Sequence, residues 1–137
     1  MIYAIEELKR TAESDFALAR DVLIRITCDY CAFRKCKGII VFDAYRRKGG
    51  EGSEERIGAV KVIYTKEGQT ADSYIELKTH ELAKEHTVRV VTSDLEEQNI
   101  ILGNGALRVS TEEFRREIEC VRGEIREAID YYKVKKK

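Results

Sequence analysis

An α/β fold with a mainly parallel sheet covered by helices is the architecture this sequence predicts. Three observations predict it. From Gly38 onward, short apolar runs alternate with stretches of helical periodicity. The run GIIVFD ends on Asp43, and VRVVTSD ends on Asp94. A third run, Ala59 to Tyr64, leads through TKEGQTADSYIE to Asp72. Acids therefore collect at or just past the C-terminal ends of three expected strands, the edge where open α/β sheets build their sites.

Composition sets the outer bounds. The 137 residues suffice for one domain with a real core. Hydrophobic residues make up 43% and charged residues 36%, as expected of a folded, soluble chain. The 25 basic and 25 acidic side chains cancel, so bulk charge gives no argument for nucleic-acid binding and only local patches can. No apolar run approaches the roughly 18–20 residues of a membrane span, so no membrane partner is expected. MIYAIEELKR turns charged too soon for a signal peptide, and a cytoplasmic chain is the expectation.

The elements follow in order. Ile5 to Thr11 reads as a short helix. Asp15 to about Lys35 reads as a longer one, with Phe16, Ala19, Leu23, Ile26, Tyr30 and Phe33 at spacings of three and four. Lys37-Gly38 ends it. Ile39 to Phe42 is continuously apolar, the pattern of a strand buried on both faces. Residues 46–56, RRKGGEGSEER, read as a polar, glycine-rich loop without the GK[ST] ending of a phosphate-binding loop. Ala59 to Tyr64 is a strand interrupted by Lys61, which places it nearer an edge. Thr70 to Glu85 is a helix, with Ala71, Tyr74, Ile75 and Leu82 as its buried set. Val88 to Thr92 is a strand. Ser93 with Glu96 fits a capping box for a short helix, punctuated by Gly103 and Gly105. Ala106 to Val109 is a short strand. Ser110 with Glu113 opens the last helix, whose stripe is Phe114, Ile118, Val121, Ile125, Ala128 and Tyr132. One domain over residues 1–132 is expected, then a basic tail over 133–137.

Clustered carboxylates suit Mg²⁺ or Mn²⁺, hard ions that prefer oxygen. Such ions activate water and stabilise the charge that builds on a phosphodiester during hydrolysis. The same acids also read as structure: Asp94 as an N-cap, Asp72 as a helix-dipole partner, Asp43 as the start of a turn. Glu67 and Glu76 could join them. Arg46, Arg47 and Lys48 could touch a phosphate backbone or simply solvate a loop. Cys28, Cys31, Cys36 and Cys120 read as reduced thiols. Cys28 and Cys31 form C-x-x-C, but inside a helical pattern and with no second pair.

Three segments carry a resemblance: VFDAYRRKGGEGSEE, VIYTKEGQTADSYIE and VVTSDLEEQNIILGNGALRVSTEEF. With T-A-D-x-x-I-E, T-S-D-x-x-E-Q and G-x-G-A-L-R-x-S, the chain resembles the NYN branch of the PIN-like nucleases. Within it, the match is to the bacterial group that includes a ribosome-associated endonuclease of messenger RNA. The resemblance covers nearly the whole chain. It implies a PIN-like three-layer α/β/α sandwich and a Mg²⁺- or Mn²⁺-dependent ribonuclease site. It implies Asp72 and Asp94 as metal ligands, and Asp43 as a third acid that organises the site or faces substrate. It implies RNA or ribosome contacts from Arg46, Lys66 and Arg108.

The sequence departs from the group at one point. Members begin with a strand ending in V-D-G-Y-N, whose aspartate is the first catalytic acid. Met1-Ile2-Tyr3-Ala4 aligns just after that motif. A PIN-like fold lacking its first, central strand is therefore expected. Weak nuclease activity and self-association through an exposed sheet edge follow as expectations. A noncatalytic RNA- or ribosome-binding module on the same fold is the alternative. A toxin–antitoxin nuclease and a cysteine metal or redox site are further, less well-matched readings.

Overall fold

A computed structural model describes residues 15–44 and 48–135. The helix expected over Ile5–Thr11 and the expected RNA contact Arg46 lie outside those residues. Helix α1 spans Phe16–Arg34. Asp15 caps it, accepting from the Leu18 N–H at 3.1 Å, and Lys35 closes it in the left-handed conformation at φ 56°. Strands β1 (Gly38–Phe42), β2 (Ser53–Ile57) and β3 (Val60–Tyr64) follow. Helix α2 spans Ala71–Leu82, β4 Arg89–Val91, α3 Leu95–Gly103, β5 Leu107–Val109 and α4 Thr111–Lys135.

The strands form two short sheets. In the first, of order β1-β3-β2, β1 runs parallel to β3, with Gly38 opposite Val60 and Phe42 opposite Tyr64. β2 runs antiparallel to β3, with Ser53 opposite Tyr64 and Ile57 opposite Val60. In the second, β4 and β5 are parallel, with Val91 opposite Val109. Two of the three pairings are parallel, as the alternating pattern predicts.

Alternation along β4 separates the layers. Val91 joins the cluster of Ala19, Leu23 and Ile26 from α1 with Val109, Phe114 and Ile118. Its neighbour Val90 joins Ile101 and Ala106 instead, with Ile75 of α2 packed alongside. Successive strand residues point to opposite faces, so α1 and α4 cover one face while α2 and α3 cover the other. A further cluster, Cys31, Val60 and Val62, seats α1 on β3. Tyr30 meets Phe114 edge to face at 5.1 Å, fixing α1 against α4.

Several expectations are corrected. Residues 53–57 form β2 rather than part of a loop. Every β2 residue is exposed, so no apolar alternation announces it; its backbone is recruited by β3 across a hairpin turn at Gly58, φ 58°. β3 is central in its sheet, not near an edge. Lys61 is tolerated there because its ammonium reaches Glu54 of β2 at 3.2 Å. β1 is not buried on both faces: Ile39 is 39% exposed. In α2 the expected inward residues are only half-buried, and Thr79 is the buried one. The stripe of α4 is buried through Val121 and then emerges, leaving Ala128 and Tyr132 exposed. Among the described residues no helix is long and apolar enough to cross a membrane.

Candidate functional site

The parallel pairing of β1 and β3 puts their C-terminal ends on one edge. Two hydrogen bonds lock that edge. The Thr65 N–H donates to the Phe42 carbonyl at 3.1 Å, and the Ala44 N–H donates to Thr65 Oγ1 at 2.8 Å. Thr65 is buried, and the bonds satisfy groups that would otherwise be costly there. Asp43 sits between the two tied residues, exposed.

Past Thr65 the chain turns into α2. Thr70 caps the helix: its Oγ1 accepts from the Ser73 N–H at 3.1 Å. Asp72 therefore falls in the first turn, exposed, where the free N–H groups and the helix dipole favour a negative charge. Asp94 follows β4 and immediately precedes α3. Its N–H donates to Thr92 Oγ1 at 3.1 Å, and its carboxylate side is exposed. Helix α2 packs on both β1 and α3, and Asn104 Nδ2 ties the end of α3 to the Glu76 carbonyl at 3.3 Å. The structure thus brings Asp43 and the segment leading to Asp72 to one sheet edge. Asp94 belongs to the end of the second sheet.

Among the described residues no group of three or more His, Cys, Asp or Glu side chains could hold a metal ion. The donor chemistry nonetheless fits one class of ion. Mg²⁺ keeps several waters and is often held by one or two carboxylates plus substrate phosphate. Exposed Asp72 and Asp94 match that requirement in type. Glu67 does not join them: its carboxylate accepts from the Gly49 N–H at 3.0 Å, and its own N–H donates to the Gly50 carbonyl. It clasps two loops together. Of the expected cationic contacts, Lys66 and Arg108 are exposed, Lys66 past the end of β3 and Arg108 on β5.

The cysteines have a different chemistry. Burial, reinforced by Cys36 and Cys28, pushes the Cys31 thiol up to about 12, and burial also raises Cys28. Both thiols are therefore weaker acids than an ordinary cysteine, which disfavours the thiolate that ligates metal or attacks a disulfide.

A pair missed by sequence reasoning stands at the same edge. Arg20 of α1 lies over the Tyr64 ring at 5.7 Å and reaches its hydroxyl at 3.5 Å. Tyr64 in turn stacks on Phe42 at 5.3 Å. The stack holds a cation beside the ends of β1 and β3. No local signal marks Arg20, whose partner is 44 residues away in sequence.

Comparisons with known proteins agree with this architecture. A family model described as the YacP-like NYN domain matches residues 1–137. The chain is 42% identical over 122 residues to the uncharacterized protein YacP of Bacillus subtilis (strain 168), covering 88% of this chain and 71% of that protein. It is similar to the crystal structure of Rae1 (YacP) from Bacillus subtilis, with TM-score 0.82 and 35% identity over 98% of this chain and 78% of that one. A tryptophan-to-leucine mutant of Rae1 matches at TM-score 0.81 and 35% identity, covering 97% of this chain and 78% of that one. The expected PIN-like α/β architecture is therefore the observed one.

Proposed function

Because the chain belongs to the YacP-like NYN domain family, we propose that it acts on RNA as the domain of a metal-dependent endoribonuclease, in the cytoplasm and at the ribosome. One observation supports this reading above the others: three acids follow the C-terminal ends of three strands in a fold similar to that of Rae1. Asp72 and Asp94 are the residues that would hold Mg²⁺ or Mn²⁺. When bound, the ion supplies charge stabilisation and an activated water for phosphodiester hydrolysis. Asp43, pinned beside Thr65, orients the site or faces the substrate. Arg46, Lys66 and Arg108 contact RNA phosphates or the ribosome. Their contribution weakens as salt rises.

A second reading is a noncatalytic RNA- or ribosome-binding module on the same fold. The lack of a three-ligand group among the described residues favours it. One assay separates the two. Single-stranded RNA is incubated with the wild-type chain, Asp72→Asn and Asp94→Asn, with and without Mn²⁺. The first reading expects Mn²⁺-dependent cleavage that each variant lowers roughly a hundredfold or more, since even outer-shell partners of a metal are worth about 10–100-fold. RNA binding with no cleavage by any form establishes the second.

A further inference from the structure

A shallow, largely open pocket of about 350 Å³ lies between β2, the end of β3 and the start of α2. Ile63, Tyr74, Gln69, Lys66, Glu51 and Glu54 line it. Its size is at the small end of ligand pockets, suited to one ring system rather than a large cofactor. Its walls come from separate elements that the sheet and the Thr70 cap hold in place. Gly52, also on the wall, has φ +77°, and a Cβ there would meet the Tyr64 carbonyl at 2.9 Å. The close approach of these two backbones shapes that side of the cavity.

Charge decides what kind of ligand fits. The lining carries two carboxylates and one ammonium, and Glu54 is already engaged by Lys61 at 3.2 Å. A phosphate inside would meet Glu51 as well as Lys66. A flat, neutral ring with polar edges meets no such penalty. Half-buried Tyr74 offers aromatic surface, with the buried side chain of Ile63 behind it. The Gln69 amide offers both a donor and an acceptor, and Glu51 an acceptor, for the edge of a ring. Lys66 is exposed, where a phosphate attached to such a ring would lie. Gln69 precedes the Thr70 cap and Tyr74 lies in the first turn of α2, so a ring bound here lies at the start of that helix.

We propose that this pocket is a nucleobase subsite, which takes one unstacked base of single-stranded RNA and holds the strand at the start of α2. Single-stranded RNA is commonly recognised by splaying a base onto an aromatic side chain and hydrogen-bonding its edge. The inference rests on the RNA-directed function proposed above and adds where a base is held.

The test measures binding and cleavage together. A fluorescent single-stranded oligoribonucleotide is titrated with wild-type protein, Tyr74→Leu, Tyr74→Phe and Gln69→Ala. The amide spectrum of the wild-type protein is followed on adding each of the four nucleoside 5′-monophosphates. The subsite predicts about fivefold or greater loss of RNA affinity in Tyr74→Leu, little loss in Tyr74→Phe, and shifts at Gln69, Tyr74 and Ile63 with nucleotide. If the wild-type chain binds or cleaves RNA but the variants match it and no nucleotide moves those amides, the subsite is wrong and the function stands. If the wild-type chain neither binds nor cleaves RNA, the proposed function falls and the subsite with it. Should Tyr74→Leu fail to fold, the nucleotide titration of the wild-type protein decides alone.

Discussion

Arg89 on β4 grips Glu117 on α4 with both arms of its guanidinium. Nη2 meets Oε1 at 2.5 Å and Nη1 meets Oε2 at 3.3 Å. The Tyr30 hydroxyl, from α1, donates to the same Oε2 at 2.7 Å. One carboxylate thus joins the second sheet to both helices on its face. The hydrogen bond from Arg89 holds Glu117 below the usual carboxylate range, against the opposing effect of burial.

A pH dependence follows from this pair. Glu117 has a lower pKa folded than unfolded, so its stabilisation is complete above its ordinary value of 4.5 and is lost as pH falls through the depressed folded value. Glu117→Gln should remove that part of the acid limb and leave the neutral limb flat. The side chains are 45% and 33% exposed, so the effect near neutral pH is no more than about 1 kcal/mol. Urea denaturation between about pH 3 and 7 checks it. An acid limb unchanged by the substitution rules the assignment out.

Gly38 faces a tight wall at the start of β1. A Cβ there would sit 2.8 Å from Cys31 Sγ. Gly38→Ala should cost about 1–3 kcal/mol by overpacking. Adding Cys31→Ala, which removes the sulfur, should make the double variant less damaged than the sum of the singles. A double-mutant cycle by chemical denaturation reads the coupling. Strict additivity would show that the contact is not the cause.

The Thr70 cap positions Asp72 as well as starting α2. Thr70→Ala should cost about 1 kcal/mol of stability. It should also weaken Mn²⁺ binding by the proposed site, while Thr70→Ser restores both. Thermal melts and Mn²⁺ titration measure the two effects separately. Loss of stability with unchanged Mn²⁺ affinity would leave Thr70 as a cap and nothing more.

Among the described residues, β1 pairs only with β3, and β4 only with β5. Among those residues each has one edge with no strand beside it, and an unpaired edge is a template for another chain. Concentration-dependent self-association is the expected outcome in sedimentation velocity. A charged substitution on the edge strand, Ile39→Lys, should shift the protein toward monomer. A single monomeric species across concentrations in the unmodified protein would refute this.

The order of the helices and of every described strand but β2 was legible in the chain because it is written locally. Thr70 and Ser110 cap helices with bonds to residues three positions on, and short-range spacing shows them. The mainly apolar runs of β1, β3 and β4 are likewise local patterns, and the acids that follow them could be named from the sequence. The T-A-D and T-S-D motifs carried the family resemblance for the same reason.

The rest depended on partners far away in the chain. β2 exists because β3 offers it hydrogen bonds, and its five exposed residues carry no pattern of their own. Lys61 reads as an edge marker until Glu54 neutralises it from the neighbouring strand. Arg20 is one polar residue among many on a helix until Tyr64 comes under it. The pocket at the start of α2 likewise has no sequence signature, since its wall is assembled from β2, β3 and α2. Sequence by itself determined most of the elements, the Thr70 and Ser110 caps and the acids of this α/β domain, because those are short-range properties of the chain. Only the tertiary structure decided which strands pair, which charges meet and where a base-sized space is left, because these arise from contacts between segments that the chain holds far apart.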